Sequence, residues 1–212
     1  MAVSLDGRIA SHPGETDAAR AGLGFTNEDD RRHLLSLLAT ADAVVVGRSS
    51  LSASGGAFAQ RNDRGAFPVW AVLTNAGLPA DARFFTQTEL PRWLVSAAPL
   101  ALPPAAAGVR NVVAGPGQST ARAAVTALQA AGARRVLLFG GSEVNRQFYA
   151  EGLVDRLILT VCPLILGAAA ALPLVAPELP RPVSLTLDGC RPQGSLVFLE
   201  YRVRGAVGHS QM

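Results

Sequence analysis

The stretch Arg134–Gly167, RRVLLFGGSEVNRQFYAEGLVDRLILTVCPLILG, decides how the chain is read. An apolar run from Arg134 stops at two glycines, Gly140 and Gly141, and a polar segment with helical spacing follows over Glu143 to Ala150. A second apolar run, Asp155 to Leu166, then has the length and composition of a strand. Glycines at a strand-to-helix turn let backbone amides approach an anion closely, and the helix behind them presents its positive end. A pyrophosphate fits such a place; a tight turn with no ligand is the alternative. The pattern is neither the G-x-G-x-x-G dinucleotide fingerprint nor a P-loop.

Upstream, STARAAVTALQAAGA supplies a helix capped by Ser119 or Thr120 and closed at Gly132, so a βαβ unit ends on the glycine pair. Asp42 to Gly47, Pro68 to Thr74, Arg92 to Ala97 and Val109 to Ala114 are apolar runs of strand length, read as buried parallel strands. A helix over Glu28 to Ala39, capped by Asn27, carries Leu34, Leu35, Leu37 and Leu38 on one face. Downstream, VSLTLDGC and GSLVFLEYRV read as a closing hairpin turning through Arg191 to Gly194. The expected fold is three-layer α/β/α, with a mostly parallel central sheet and an antiparallel C-terminal edge. The loops Ala53 to Phe67 and Ala98 to Gly108 are rich in Gly, Pro and Ala and are placed beside a site.

A chain of 212 residues with 49% hydrophobic content supports one domain over 1–212 with a full core. The net charge of +3 comes from dispersed arginines, a weak argument for an anionic small molecule and none for nucleic acid. Cys162 and Cys190 have no ligand-spaced neighbours; both are read as buried thiols, and no metal site is expected. With no leader pattern and no membrane-length apolar run, a cytoplasmic protein is expected.

A second turn of the same kind occurs in VVVGRSSL, where Gly47, Arg48, Ser49 and Ser50 follow a strand. Two such turns at strand carboxyl ends point to a ligand in the crevice outside the sheet. Together with SLDGRIA at Ser4 to Ala10 and LFGGSEVNRQFYAEGLVDRLIL, this order of motifs resembles the reductase domain of the riboflavin-biosynthesis deaminase/reductase family, itself similar in fold to dihydrofolate reductase. The resemblance spans nearly the whole chain.

The resemblance implies NADPH across the strand ends, hydride transfer to a phosphorylated heterocycle or its opened-ribose imine, and assembly as a homodimer. The implied activity is similar to 5-amino-6-(5-phosphoribosylamino)uracil reductase. It assigns Ala2 to the nicotinamide carboxamide and Ser4, Leu5, Asp6 and Gly7 to the turn opening the active-site loop. Gly47, Ser49 and Ser50 fall at the cofactor phosphates, and Thr74 and Asn75 near the adenosine ribose, with Arg48 as the cation for its 2′-phosphate. Gly140, Gly141, Ser142, Glu143 and Val144 match the loop around pyrophosphate and nicotinamide, and Arg61 matches a substrate-phosphate arginine. Asp6 is the candidate catalytic acid; Asp6 as a turn residue, and Arg48 or Arg61 as solvated charges, are the alternatives.

The chain departs from the family pattern at three polar positions. Phe139 stands where a Glu usually precedes the glycine pair, and is placed at the substrate. Leu38 stands where the helix usually carries an Arg, and Ser52 to Ser54 replace an acidic pair. Only three residues precede SLDG, so the first strand is expected to be short. Further acids are Glu28, Asp29 and Asp30 on the first long helix, the helix that bears the pterin-binding carboxylate in dihydrofolate reductase; a first-turn cluster favourable to the helix dipole is the alternative. His33 is read as a helix-face residue, with His12 in a loop and His209 in the tail. A pteridine or folate reductase on the same fold, and a non-catalytic nucleotide-binding protein, remain as alternatives to the pyrimidine reductase.

Overall fold

A computed structural model describes residues 1–204. Strands β3 (Ala43–Gly47), β4 (Val69–Leu73), β5 (Arg92–Ser96), β6 (Arg110–Val113) and β7 (Val136–Gly140) form a parallel sheet in the order β6-β5-β4-β3-β7. Their side chains alternate between two cores. Val44 and Val46, with Trp70, Val72 and Leu94, face helix α2 (Glu28–Ala39), helix α3 (Arg48–Ala53) and the short α4 (Arg83–Thr86) through Leu38, Leu51, Phe84 and Phe85. Ala43 and Val45, with Ala71, Trp93 and Val95, face α5 (Thr120–Ala130) and α6 (Ser142–Ala150) through Ala121, Leu128, Val144 and Phe148. Helices on both faces require a strand to be apolar throughout, which is why these strands are continuous apolar runs in the sequence.

A second sheet holds β1 (Ala2–Val3), β8 (Arg156–Val161), β11 (Leu196–Val203) and β10 (Leu185–Gln193) in the order β1-β8-β11-β10. The β1–β8 pair is parallel and the other two pairs are antiparallel. The expected single sheet is therefore two hydrogen-bonded sheets, because β1 supplies only two paired residues and no ladder joins β7 to β8. A small ladder, β2 (Arg8–Ala10) with β9 (Leu172–Pro173), and helix α1 (Asp17–Gly22) lie outside both.

Four further expectations are corrected. The long apolar run after Asp155 leaves the sheet at Cys162, where Cys162, Leu164 and Leu166 pack with Ala2, Phe25 and Phe198 instead. The hairpin turns at Gly194 and Ser195, with Arg191, Pro192 and Gln193 still paired to β11. Strand β6 is the half-exposed sheet edge, and of the two free thiols only Cys162 is buried; Cys190 is exposed on β10. Burial pushes the Cys162 thiol up to about 11.

Candidate active site

Strands β3 and β7 are direct neighbours, with Val46 opposite Gly140, so their carboxyl ends place the two glycine turns side by side. Gly140 and Gly141 take φ of +71° and +96°, a region that strongly favours glycine. A Cβ on Gly140 would lie 2.1 Å from Asn145 Oδ1, and one on Gly141 would lie 2.9 Å from Ser50 Oγ. The Ser50 hydroxyl donates to the Gly140 carbonyl at 3.2 Å and ties the two turns together. Gly47 has a packing reason of its own: a Cβ there would meet Val144 Cγ2 at 2.9 Å. It lets α6 close against the end of β3.

Two helix ends at this point lack side-chain caps, as does the short α4. Helices α1, α2 and α5 are capped by the side chains of Thr16, Asn27 and Ser119. Helices α3 and α6 begin at Gly47 and Gly141 with no side chain over their amides. Uncapped N-terminal amides carry the positive end of the peptide dipoles and attract anions. Both ends open on a cleft of about 1720 Å³ that runs between the two sheets.

Around this cleft the structure gathers most of the residues expected from sequence. Arg48 and Ser49 are exposed at the start of α3, beside Ser50. Thr74 and Asn75, at the end of β4, also line it. The Thr74 hydroxyl donates to Gly77 O at 3.0 Å and holds its own turn, while Asn75 Oδ1 accepts from Ala97 N at 2.9 Å and ties the end of β4 to the end of β5. Ala2, Gly141, Ser142, Glu143 and Val144 complete the near wall. Phe139 lines the cleft as part of an aromatic group, 5.6 Å from Trp70 and 6.4 Å from Phe58 between ring centroids.

Asp6 and Arg61 do not line the cleft, nor do Gly140 and the turn residues Ser4, Leu5 and Gly7. Asp6 is exposed, and its carboxylate accepts from Ser4 Oγ at 2.5 Å, Leu166 N at 3.2 Å and Gly167 N at 3.0 Å. Those hydrogen bonds, the Ser4 hydroxyl first, hold its pKa down at about 2. A carboxylate so placed braces the loop after β1 against the segment after β8. Arg61 curls back on its own loop, donating to Gly65 O at 2.6 Å with its guanidinium 4.0 Å over the Phe67 ring.

Other side chains took their places by contacts that the sequence motifs do not contain. Asn145 donates to Leu174 O at 2.7 Å and Ser142 donates to Pro173 O at 2.5 Å, fastening the segment around β9 over the start of α6. Of the three acids opening α2, Glu28 is exposed and Asp29 accepts from Arg32 at 3.1 Å and Gln193 at 2.5 Å. Asp30 is buried and lines the cleft. His33 packs edge-on against Phe198 at 4.7 Å, and burial lowers its pKa. His12 is exposed, and His209 lies outside the described residues.

A family model described as the RibD C-terminal domain matches residues 1–199. A curated relative from Methanothermobacter thermautotrophicus, 2,5-diamino-6-ribosylamino-4(3H)-pyrimidinone 5′-phosphate reductase, is 28% identical over 216 residues, covering 96% of each chain. Among solved structures, a pyrimidine reductase-like protein from Corynebacterium diphtheriae is similar with TM-score 0.77 at 22% identity, over 96% of this chain and 90% of that one. The dihydrofolate reductase of Enterococcus faecalis, solved with NADP(H), is similar with TM-score 0.55 at 14% identity, over 95% of this chain and 92% of that one. At these identities the structural likenesses show the fold, which is dihydrofolate-reductase-like.

Proposed function

The chain belongs to the RibD C-terminal domain family, and from that premise we propose that it is an NADPH-dependent reductase acting on a pyrimidine that bears a phosphorylated ribosylamino group. The observation that carries the reading is the pair of uncapped helix ends, α3 and α6, joined through Ser50 and opening on one cleft. The name of the curated archaeal relative supports the substrate class.

The residues present fit a dinucleotide. The amides at the start of α6 can meet a pyrophosphate, and Gly141 keeps that approach free because any Cβ would fill the gap beside Ser50. Arg48, exposed next to the Thr74–Asn75 strand end, is the cation available to a 2′-phosphate. A bound nicotinamide would supply the hydride that reduces the C=N bond of the ring-opened ribosylamine, with the proton for the nitrogen coming from solvent. The chain's own part is positional: it holds the reacting carbon in line, and Phe139 with Trp70 makes one wall of the cleft apolar. Asp6, held ionised on the far side of its loop, is left out of the proton route.

The test is loss of absorbance at the reduced-nicotinamide band with a ribosylaminopyrimidine 5′-phosphate as substrate, run beside a dihydropterin. Turnover with the pyrimidine alone is expected. Tight NADPH binding with no oxidation by either compound would leave a nucleotide-binding protein and remove the reductase.

A further inference from the structure

The two sheets stop short of each other, and the edges they present across the cleft are both apolar. In the five-stranded sheet β3, β4 and β5 are buried along nearly their whole length, whereas Val136, Leu137, Leu138 and Phe139 of β7 are all half-buried. Facing β7 is β8, paired to β11 from Arg156 to Val161 on one side but to β1 only at Thr160 and Val161 on the other. The Met1 amino group, donating to Ile158 O at 2.8 Å, is the last group beside that edge, which is then open back to Arg156.

The open edge has the groups of a ladder. Backbone groups of a strand point alternately to its two sides, and on this side β8 uses Ile158 O, Thr160 N and Cys162 N to hold Met1 and Val3. By the same alternation Ile158 N–H and Arg156 C=O face the cleft, the pair that holds one residue of a parallel neighbour. An open strand edge is a template for a further strand, and β7 supplies a second edge opposite. The walls fit the same occupant: Leu34 and Leu37 of α2 line the cleft, as do Val125 of α5, Phe148 of α6, Leu153 and Val154. A segment covered on both faces is apolar at successive residues.

Charge marks the mouth of this gap, which lies at the opposite end of the strands from Gly140 and Gly141. Arg134 and Arg135, directly before β7, are exposed and form none of the ion pairs of the described residues. Asp42, which takes their backbone amides, is paired with Arg64. Arg156 pairs with Glu200, and Asp155 is exposed. The mouth is net positive.

We infer that the gap between β7 and β8 is a docking slot for a partner polypeptide, which inserts an extended run of about four apolar residues parallel to β8, with acidic residues ahead of it at the arginines. The direction is that of β1 on the same edge. The inserted strand joins the two sheets and leaves the uncapped ends of α3 and α6 free.

The probe is a synthetic peptide of three aspartates followed by Val-Ile-Val-Ile, acetylated and amidated, titrated by calorimetry into the full chain with and without saturating NADPH. Binding is expected, with equal affinity in both cases. A peptide with Pro-Pro in place of its middle Ile-Val, unable to donate to a ladder, should bind at least about tenfold more weakly, and so should one with lysines for aspartates. Hydrogen exchange over residues 136–140 and 156–159 should slow when the first peptide binds. Arg134→Glu combined with Arg135→Glu, both on the surface, should reverse the preference between the aspartate and lysine peptides while NADPH affinity and melting temperature stay near those of the parent. No binding, equal binding of the proline peptide, displacement by NADPH or unchanged exchange in both segments overturns the slot. So does a charge preference that the double variant leaves in place. None of these measurements needs turnover, so the slot and the reductase reading fail separately.

Discussion

Helix α2 begins under an asparagine whose side chain accepts from the amides of Asp29 and Asp30 at 2.9 and 3.1 Å, and its first turn carries three carboxylates. Helix α6 begins at Gly141 with nothing over its amides and one exposed glutamate, Glu143, in the first turn. Both ends border the same cleft. The first has used its amides internally and set negative charge against its dipole, so it repels phosphate and receives hydrogen-bond donors. The second keeps its amides free of any side chain and is kept slim by glycine, so it is open to an anion. One cleft is thus bordered by a capped, acidic helix end and by an uncapped one, and the difference lies in capping as much as in charge.

The largest expected effect comes from closing the open end. Gly140→Val puts a branched side chain at φ +71° with its Cβ on top of Asn145, whose amide holds Leu174. Strain and the lost buried hydrogen bond together should cost about 3 kcal/mol, a fall of roughly 6–12 °C in melting temperature. Gly141→Val should instead act on the ligand, raising the NADPH dissociation constant by about thirtyfold or more with a smaller loss of stability, since its Cβ meets only the Ser50 hydroxyl. If Gly141→Val melts earlier but binds NADPH as before, the open end is only a turn and the contrast with α2 collapses.

A smaller effect is expected at Arg48, which sharpens the phosphate end by naming its cation. Arg48→Glu should erase a preference of about tenfold for NADPH over NADH, worth ~1.4 kcal/mol, while NADH affinity hardly moves. Equal dissociation constants for the two cofactors in the unmodified protein would take that role from Arg48.

The smallest effect is assigned to Asp6, a third carboxylate that belongs to neither end. Its pKa is depressed from an ordinary 3.8 to about 2 by the Ser4 hydroxyl and the Gly167 and Leu166 amides. A depressed carboxylate stabilises above its unfolded pKa and loses that contribution as the pH falls through the folded one. Asp6→Asn should therefore melt slightly earlier than the parent at pH 7, and the gap should close between about pH 4 and pH 2. Turnover should survive in large part. A variant that folds normally and shows no turnover would restore Asp6 to the chemistry.

Much of the fold was legible because its signals are local. Strands β3, β4, β5 and β7 are covered on both faces, so each is an unbroken apolar run, and α2 and α5 announce themselves by Asn27 and Ser119. The short pieces were not legible: β1, β2 and β9 contribute two or three residues each, too few to show a period, and α1 and α4 are little longer. The run after Asp155 misled because apolar content alone does not distinguish a residue in a ladder from one such as Cys162, packed against Phe25 in a separate cluster.

The site divides along the same line. By itself the sequence determined the Gly140–Gly141 turn and its place after a strand, because φ near +71° and +96° is a property of the residue and its immediate neighbours, whereas Gly47, at φ −80°, is held to glycine by packing against Val144. It also determined that acids would open α2, since first-turn carboxylates answer the helix dipole. Which of those acids is buried was decided only by tertiary structure. Gln193, 164 residues away, occupies Asp29, solvent takes Glu28, and the fold buries Asp30 at the cleft wall. The same holds for Asp6, turned into a brace by amides 160 and 161 residues along the chain, and for Arg61, folded onto its own loop. The physical reason is that backbone conformation is set mainly by near neighbours, whereas the burial and hydrogen bonding of a polar side chain depend on groups that only the folded chain brings within a few ångströms.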